Sequence, residues 1–167
     1  MKDFTVAVVF AKEDESDFKR CTFPILGRPV FAYPLLAALN SESVDFTYVS
    51  TSSERIVSEL KGFENVRCIK RRDECGSLLE EIKRTTGNII DELGEHIDKF
   101  VILLGNSPCV LNSTIDNAIE ILDEKKEIDS VATAEKRHFH NPATAFKMTE
   151  KGLLKPSLLK NYSDYCY

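Results

Sequence analysis

Short, almost wholly apolar runs alternate with helix-period segments along this chain, and that alternation most restricts what it can fold into. Phe4-Thr-Val-Ala-Val-Val-Phe10 is rich in β-branched and aromatic residues and apolar nearly throughout. Such a strand has no polar face to turn to water, so it is predicted to be buried on both sides, as in a parallel sheet. Phe46–Ser50, Val66–Ile69, Phe100–Leu104 and Ser130–Ala134 are predicted as further strands.

Helical patterns lie between them. Ile115, Ala118, Ile119 and Leu122 form one apolar stripe in a helix over Ser113–Lys126. Asn112 or Ser113 is placed to cap it, and Asp116 adds negative charge near its N-terminus, where the dipole favours it. Leu78, Leu79, Ile82, Thr86, Ile89, Ile90 and Leu93 keep helical spacing, and Gly94 is expected to end that helix in a left-handed cap. Glu54–Lys61, followed by Gly62, reads as a shorter helix. Another is expected from Pro29 to about Asn40, kinked at Pro34. Strand, helix, strand, helix implies right-handed crossovers and a mostly parallel sheet covered on both faces. The expected architecture is therefore an α/β, Rossmann-like three-layer sandwich.

The chain has 167 residues, enough for one domain with a sizeable core. Its net charge of −5 argues against a nucleic-acid partner, which asks for a basic surface. No apolar run reaches the roughly 20 residues of a membrane helix. Phe4–Phe10 lacks a signal peptide's length and cleavage site. Cys21, Cys68, Cys75, Cys109 and Cys166 are odd in number without a C-x-x-C pair, which suggests reduced thiols and a cytoplasmic location. No P-loop, G-x-G-x-x-G or G-x-S-x-G motif occurs, so the corresponding ATPase, dehydrogenase and hydrolase readings lack their carriers.

In open parallel sheets ligands bind beyond the carboxyl ends of the strands. That rule selects the loops Ala11–Pro24, Ser50–Ser53, Lys70–Gly76 and Gly105–Asn112. The first is unusually long for a strand-to-helix connection. Lys12, Lys19 and Arg20 in it have the chemistry to hold phosphate, or else belong to a mixed-charge surface loop. Lys70-Arg71-Arg72 either grips an anion or, as charge runs usually do, faces solvent. His138 and His140 alternate as metal ligands on one strand face would, but no Cys, Asp or Glu stands at ligand spacing.

Several segments, taken in order, resemble the sugar-activating cytidylyltransferases, and among them the CMP-sialic acid synthetase (acylneuraminate) group. Leu26-Gly-Arg-Pro-Val-Phe-Ala-Tyr-Pro-Leu-Leu-Ala-Ala-Leu-Asn-Ser41 is similar to that family's L-x-G-K-P-L-I-x-Y block. Tyr48–Ile56 resembles V-V-S-T-D-x-x-x-I. Leu103–Leu111 resembles L-L-Q-P-T-S-P-L, and Asp129–Ala134 resembles D-S-V-x-S-V. Asn141–Met148 and Lys151–Pro156 resemble the segment that follows.

The resemblance implies a nucleotide-diphospho-sugar transferase type of fold and transfer of a nucleotidyl group from CTP to a sialic-acid-like sugar acid, with Mg²⁺. It implies catalytic roles for Lys12 and Arg20, and a nucleotide pocket drawn from Ala11, Lys12, Lys19, Arg20, Arg72, Ser77, Asn106 and Ser107. It implies one nucleotidyltransferase-like domain over 1–167 and a homodimer, with residues from about 138 to 156 as a dimerisation arm. It assigns no metal ligands within this sequence. It also implies a chain that continues past Tyr167, or a partner that completes the site.

The sequence departs from that pattern at the loop. No glycine lies between Ala11 and Gly27, whereas Glu13, Asp14, Glu15 and Asp17 do. A carboxylate about 4 Å from a phosphate costs roughly 4 kcal/mol before screening, at an effective dielectric near 20. Ser52 replaces the aspartate of S-T-D, and the glutamine of Q-P-T-S-P is missing. The alternative expectation is therefore a catalytically degenerate homologue that binds a nucleotide, a sugar or a protein.

Overall fold

The computed structural model of the chain describes residues 3–13, 21–71, 77–94, 96–134 and 146–156. The chain divides into two compact units, Met1–Val131 and Ala132–Tyr167.

Strand β1, Phe4–Phe10, is the centre of the first unit, and Val6 to Val9 are fully buried. The side chains alternate as a pleat requires. Ala7, Val9 and Ala11 join one core cluster, and Val6, Val8 and Phe10 join the other. This is the two-faced burial predicted for an apolar run of this kind.

The small strands β2 (Pro24–Ile25) and β3 (Arg28–Pro29) form an antiparallel hairpin before helix α1, Ala32–Leu39. The helix thus starts three residues later than predicted, because Pro29 is used in the hairpin. Pro34 falls in its first turn, where a missing N–H leaves no helical bond unmade, and not in mid-helix. At the hairpin tip Leu26 has φ +47° and is 94% exposed. The Tyr33 hydroxyl donates to the Ile25 carbonyl at 2.5 Å, tying the hairpin to α1.

Strand β4 (Phe46–Thr51), helix α2 (Glu54–Glu59) with the 3-10 turn Leu60–Gly62, strand β5 (Val66–Lys70), helix α3 (Leu78–Leu93), strand β6 (Ile97–Leu104) and helix α4 (Asn112–Glu124) follow. The main sheet is four-stranded, in the order β5-β4-β1-β6, and every pairing is parallel. The chain winds from β1 outward to β5, then crosses back to place β6 on the other side of β1.

Phe31, which precedes α1, and residues of α1, α2 and α4, among them Leu35, Ile56, Ile115 and Ile119, pack with Ala7 and Val9. Ile89 and Ile82 of α3 pack with Val6, Val8 and Tyr48. Helices therefore cover both faces, as the alternation predicted.

Local details differ from the sequence reading in instructive ways. Helix α4 begins at Asn112 without a side-chain cap. The Asn112 amide instead donates to the Asn40 carbonyl at 3.2 Å. Asp116 stands beyond the first turn and accepts from the Ser41 hydroxyl at 2.6 Å and the Ser43 N–H at 3.2 Å. It is a tie between helix and loop. Gly94 ends α3 with φ +78° and ψ −168°, a backbone open only to glycine but distinct from the left-handed helical cap.

Ser130–Ala134 is irregular and mostly exposed, so the fifth predicted strand does not form. Its small side chains bury little, which leaves a strand there without a driving force.

In the second unit, β7 (Phe146–Met148) pairs antiparallel with β8 (Leu154–Pro156). Phe146 and Met148 are 46% and 71% exposed. His138 and His140 lie outside the described residues.

Candidate functional site

The carboxyl ends of β1, β4 and β5 converge on Ala11, which is fully buried. Its N–H donates to the Ser50 carbonyl at 3.0 Å. Its own carbonyl accepts from the Arg71 guanidinium at 3.2 Å. On the β6 side, the Gly105 N–H donates to the Phe10 carbonyl at 2.9 Å. A Cβ on Gly105 would stand 3.0 Å from both Ala11 Cα and Ala11 Cβ. The first and last of the predicted binding loops therefore leave the sheet in direct contact.

Arg71 lies one residue past β5, and its N–H donates to the Thr51 carbonyl at 2.7 Å. Its side chain is only 8% exposed and is ion-paired with Glu81 of α3, itself 17% exposed. A buried cation needs such a partner. The Nε of Arg71 is buried and without a hydrogen-bond partner among the described residues. Lys70, by contrast, is exposed and pairs with Glu54. The basic triplet is thus not one surface: Lys70 faces solvent, Arg71 is an internal brace, and Arg72 lies outside the described residues.

Glu13 is the one carboxylate of the Ala11–Pro24 loop among the described residues. The Ser53 hydroxyl donates to it at 2.5 Å, and Arg55 lies 3.7 Å away. Ser53 also caps α2, accepting from the Ile56 N–H at 3.3 Å. The β4–α2 turn therefore engages the first acidic residue of the loop.

Cys21, where the loop returns, is buried, and its carbonyl accepts from the Phe31 N–H at 2.9 Å. Burial pushes its thiol above the ordinary range, partly offset by the Lys12 backbone and by Arg71.

The residues singled out from sequence are placed as follows. Ala11 is the hub, and Lys12 next to it is exposed. Asn106 is exposed and Ser107 half-buried, with the Ser107 N–H donating to the Leu104 carbonyl at 3.0 Å in a tight turn. Ser77 forms a capping box with Glu80 at the head of α3. Lys19 and Arg20 lie outside the described residues. In the sequence Arg71 stands out only within the basic triplet and Gly105 only as the start of a binding loop, while Glu81 does not stand out at all. The local signal is a pair of carboxylates, Glu80 and Glu81, in the first turn of α3, shortly after the basic run that begins at the end of β5.

Among the described residues no three His, Cys, Asp or Glu side chains group to hold a metal ion, and Glu13 is engaged by Ser53 and Arg55. These residues do not by themselves form a Mg²⁺ site, and no step is derived through one. No described helix is long and apolar enough to cross a membrane.

A parallel α/β sandwich whose strand ends meet in this way is a fold found among nucleotidyltransferases. It resembles CMP:2-keto-3-deoxy-manno-octonic acid synthetase complexed with CTP, with a TM-score of 0.63 and 17% identity over 75% of this chain and 49% of that one. It also resembles 4-diphosphocytidyl-2C-methyl-D-erythritol synthase, with a TM-score of 0.62 and 19% identity over 74% of this chain and 55% of that one.

Residues 22–164 match the family model described as cytidylyltransferase, and the chain belongs to that family. A 3-deoxy-manno-octulosonate cytidylyltransferase of Chlamydia abortus (strain DSM 27085 / S26/3) is 25% identical over 107 residues. The chain spans 40% of that relative's length and 64% of its own length is covered.

Proposed function

We propose that the chain transfers a cytidylyl group from CTP to a sugar acid. The sugar hydroxyl oxygen attacks the α-phosphorus, the bond from that phosphorus to the β-phosphate oxygen breaks, pyrophosphate leaves, and the hydroxyl proton passes to solvent. Such chemistry rests on positioning and charge stabilisation more than on covalent help. The observation that carries the reading is the family match over residues 22–164, joined to a loop that leaves β1 at the carboxyl end of the sheet.

Lys12, Lys19 and Arg20 would hold the phosphates, with Lys12 and Arg20 facing the charge that develops during transfer. Ala11, Arg72, Ser77, Asn106 and Ser107 would line the nucleotide pocket. The acceptor is a 2-keto-3-deoxy sugar acid of the sialic-acid-like or octulosonate kind, in keeping with the relative from Chlamydia abortus. Mg²⁺ would arrive with the triphosphate. The working form is a homodimer joined through residues of about 138–156, within one nucleotidyltransferase-like domain over 1–167. Its location is cytoplasmic, in keeping with the free thiols of Cys21, Cys68 and Cys109.

One observation favours a second reading, a nucleotide- or sugar-binding homologue without turnover. The loop after β1 is acidic and lacks the glycines that let backbone N–H groups approach phosphates.

A thermal-shift panel of CTP, ATP, GTP and UTP, with Mg²⁺ or with chelator, is the first test. CTP at about 100 times its dissociation constant should add roughly 2.7 kcal/mol, a shift of some degrees. Pyrophosphate release with acidic sugars then follows. A CTP-selective shift with release supports transfer. A shift without release supports the second reading, and no shift with any nucleotide sinks transfer and nucleotide binding.

A further inference from the structure

We propose that Arg71 is a positioning residue for the nucleotide loop, holding the Ala11 carbonyl from inside the fold while Glu81 neutralises its charge. The proposal rests on the reading of that loop given above, and it assigns Arg71 no contact with nucleotide.

Three observations converge on it. Arg71 joins three strand ends: its N–H donates to the Thr51 carbonyl at the end of β4, its side chain to the Ala11 carbonyl just past β1, and its own backbone leaves β5. Its side chain is more than nine-tenths buried, so it is shielded from the solvent that would let a surface arginine wander. Its buried Nε stays without a partner among the described residues. The guanidinium is held by its contacts to Ala11 and Glu81.

The fork of an arginine reaches two acceptors at once. A lysine offers one point charge on a flexible stem and cannot bridge a carboxylate and a carbonyl in the same fixed geometry. The backbone at Ala11 then sets where Lys12, the next residue, begins. A phosphate-holding loop depends on that placement, because misplacing reacting groups by about 1 Å costs on the order of a hundredfold in rate. Glu81 sits in the first turn of α3, behind the capping box of Ser77 and Glu80. Arg71 thus joins the start of the loop after β5 to the start of the loop after β1 by a hydrogen bond, and to α3 by an ion pair.

The alternative is an ion pair that only stabilises the fold. Replacing a buried pair by apolar residues of similar volume is often neutral for stability, so the double variant R71M/E81L separates the two roles. The full chain is compared as wild type, R71K, E81Q and R71M/E81L. Amide exchange is read at Lys12 and Glu13, with Val8 and Val9 of β1 as the internal reference, beside CTP affinity by calorimetry with Mg²⁺.

The expected result is exchange at Lys12 and Glu13 at least tenfold faster in R71K and R71M/E81L, with Val8 and Val9 unchanged. CTP affinity should fall at least tenfold in both. Unchanged exchange at Lys12 and Glu13 in a folded R71K or R71M/E81L overturns the proposal. So does a rise that Val8 and Val9 share in every variant, since that reports general loosening. If wild type binds no CTP, the functional reading falls, while the exchange result still decides the role of Arg71.

Discussion

Gly105 lies against Ala11 so closely that a Cβ on it would stand 3.0 Å from that residue's Cα and Cβ. Both neighbours are parts of a fully buried residue just past the central strand, and neither is the end of a flexible side chain. G105A must therefore push the loop after β6 off the sheet or shift Ala11. The expected loss is about 1–3 kcal/mol, seen as a Tm several degrees lower, and CTP affinity should fall with it. G105Q, with a larger side chain, should be at least as harmful. A G105A variant that melts with wild type would show that the two loops part without cost.

A buried hydroxyl pair holds β4 to α3. Ser50 and Thr85 are 0% and 2% exposed, and their oxygens are 2.9 Å apart. T85V keeps the shape but strands the Ser50 hydroxyl, at an expected cost of about 1–3 kcal/mol. S50A alone should cost a similar amount. The double variant S50A/T85V should lose less than the sum, because no orphaned hydroxyl remains. Urea unfolding of the four proteins gives the coupling, and strict additivity would remove this account.

Ser53 has two duties, as cap of α2 and as partner of Glu13. S53A should cost about 1 kcal/mol, the usual penalty of a lost N-cap. Arg55 is 59% exposed beside Glu13 and Glu59, so R55A should change stability by less than about 0.5 kcal/mol. Chemical denaturation with unchanged m-values tests both. A large effect of R55A would mean that the Glu13 contact matters more than an exposed pair should.

Burial alone would raise the Asp116 carboxyl, but hydrogen bonds from Ser41, Ser43 and the Glu42 backbone outweigh it and hold it below the ordinary value of 3.8. A depressed carboxylate contributes stability that is present above its unfolded value and is lost as pH falls through the folded one. D116A should therefore cost about 1 kcal/mol at pH 7, and the gap from wild type should close as pH drops below 3.8. Melting curves from pH 7 to pH 2.5 give the comparison. A gap that stays constant with pH would mean that the ionised carboxylate is not the contributing form.

The main sheet was legible in the chain itself. An apolar run such as Phe4–Phe10 can only be a two-sided interior strand, and helix-period stripes such as Ile115 and Ile119 can only cover it. Order along the chain then placed the loops at the carboxyl ends, with Ala11 and the Gly105–Ser107 turn among them. These are properties of consecutive residues, so local physics determines them.

What local pattern does not contain, the tertiary structure decided. Ser130–Ala134 has an acceptable strand pattern but buries too little to become one. Arg71 looks like the middle of a solvated triplet until α3 brings Glu81 onto it and β1 brings the Ala11 carbonyl. Asp116 reads as a dipole charge until the turn after α1 presents Ser41. The outcomes at Arg71 and Asp116 depend on partners between 10 and 75 residues away in the chain. Burial and ion pairing are set by what packs alongside, and packing is settled only when the whole sheet has closed.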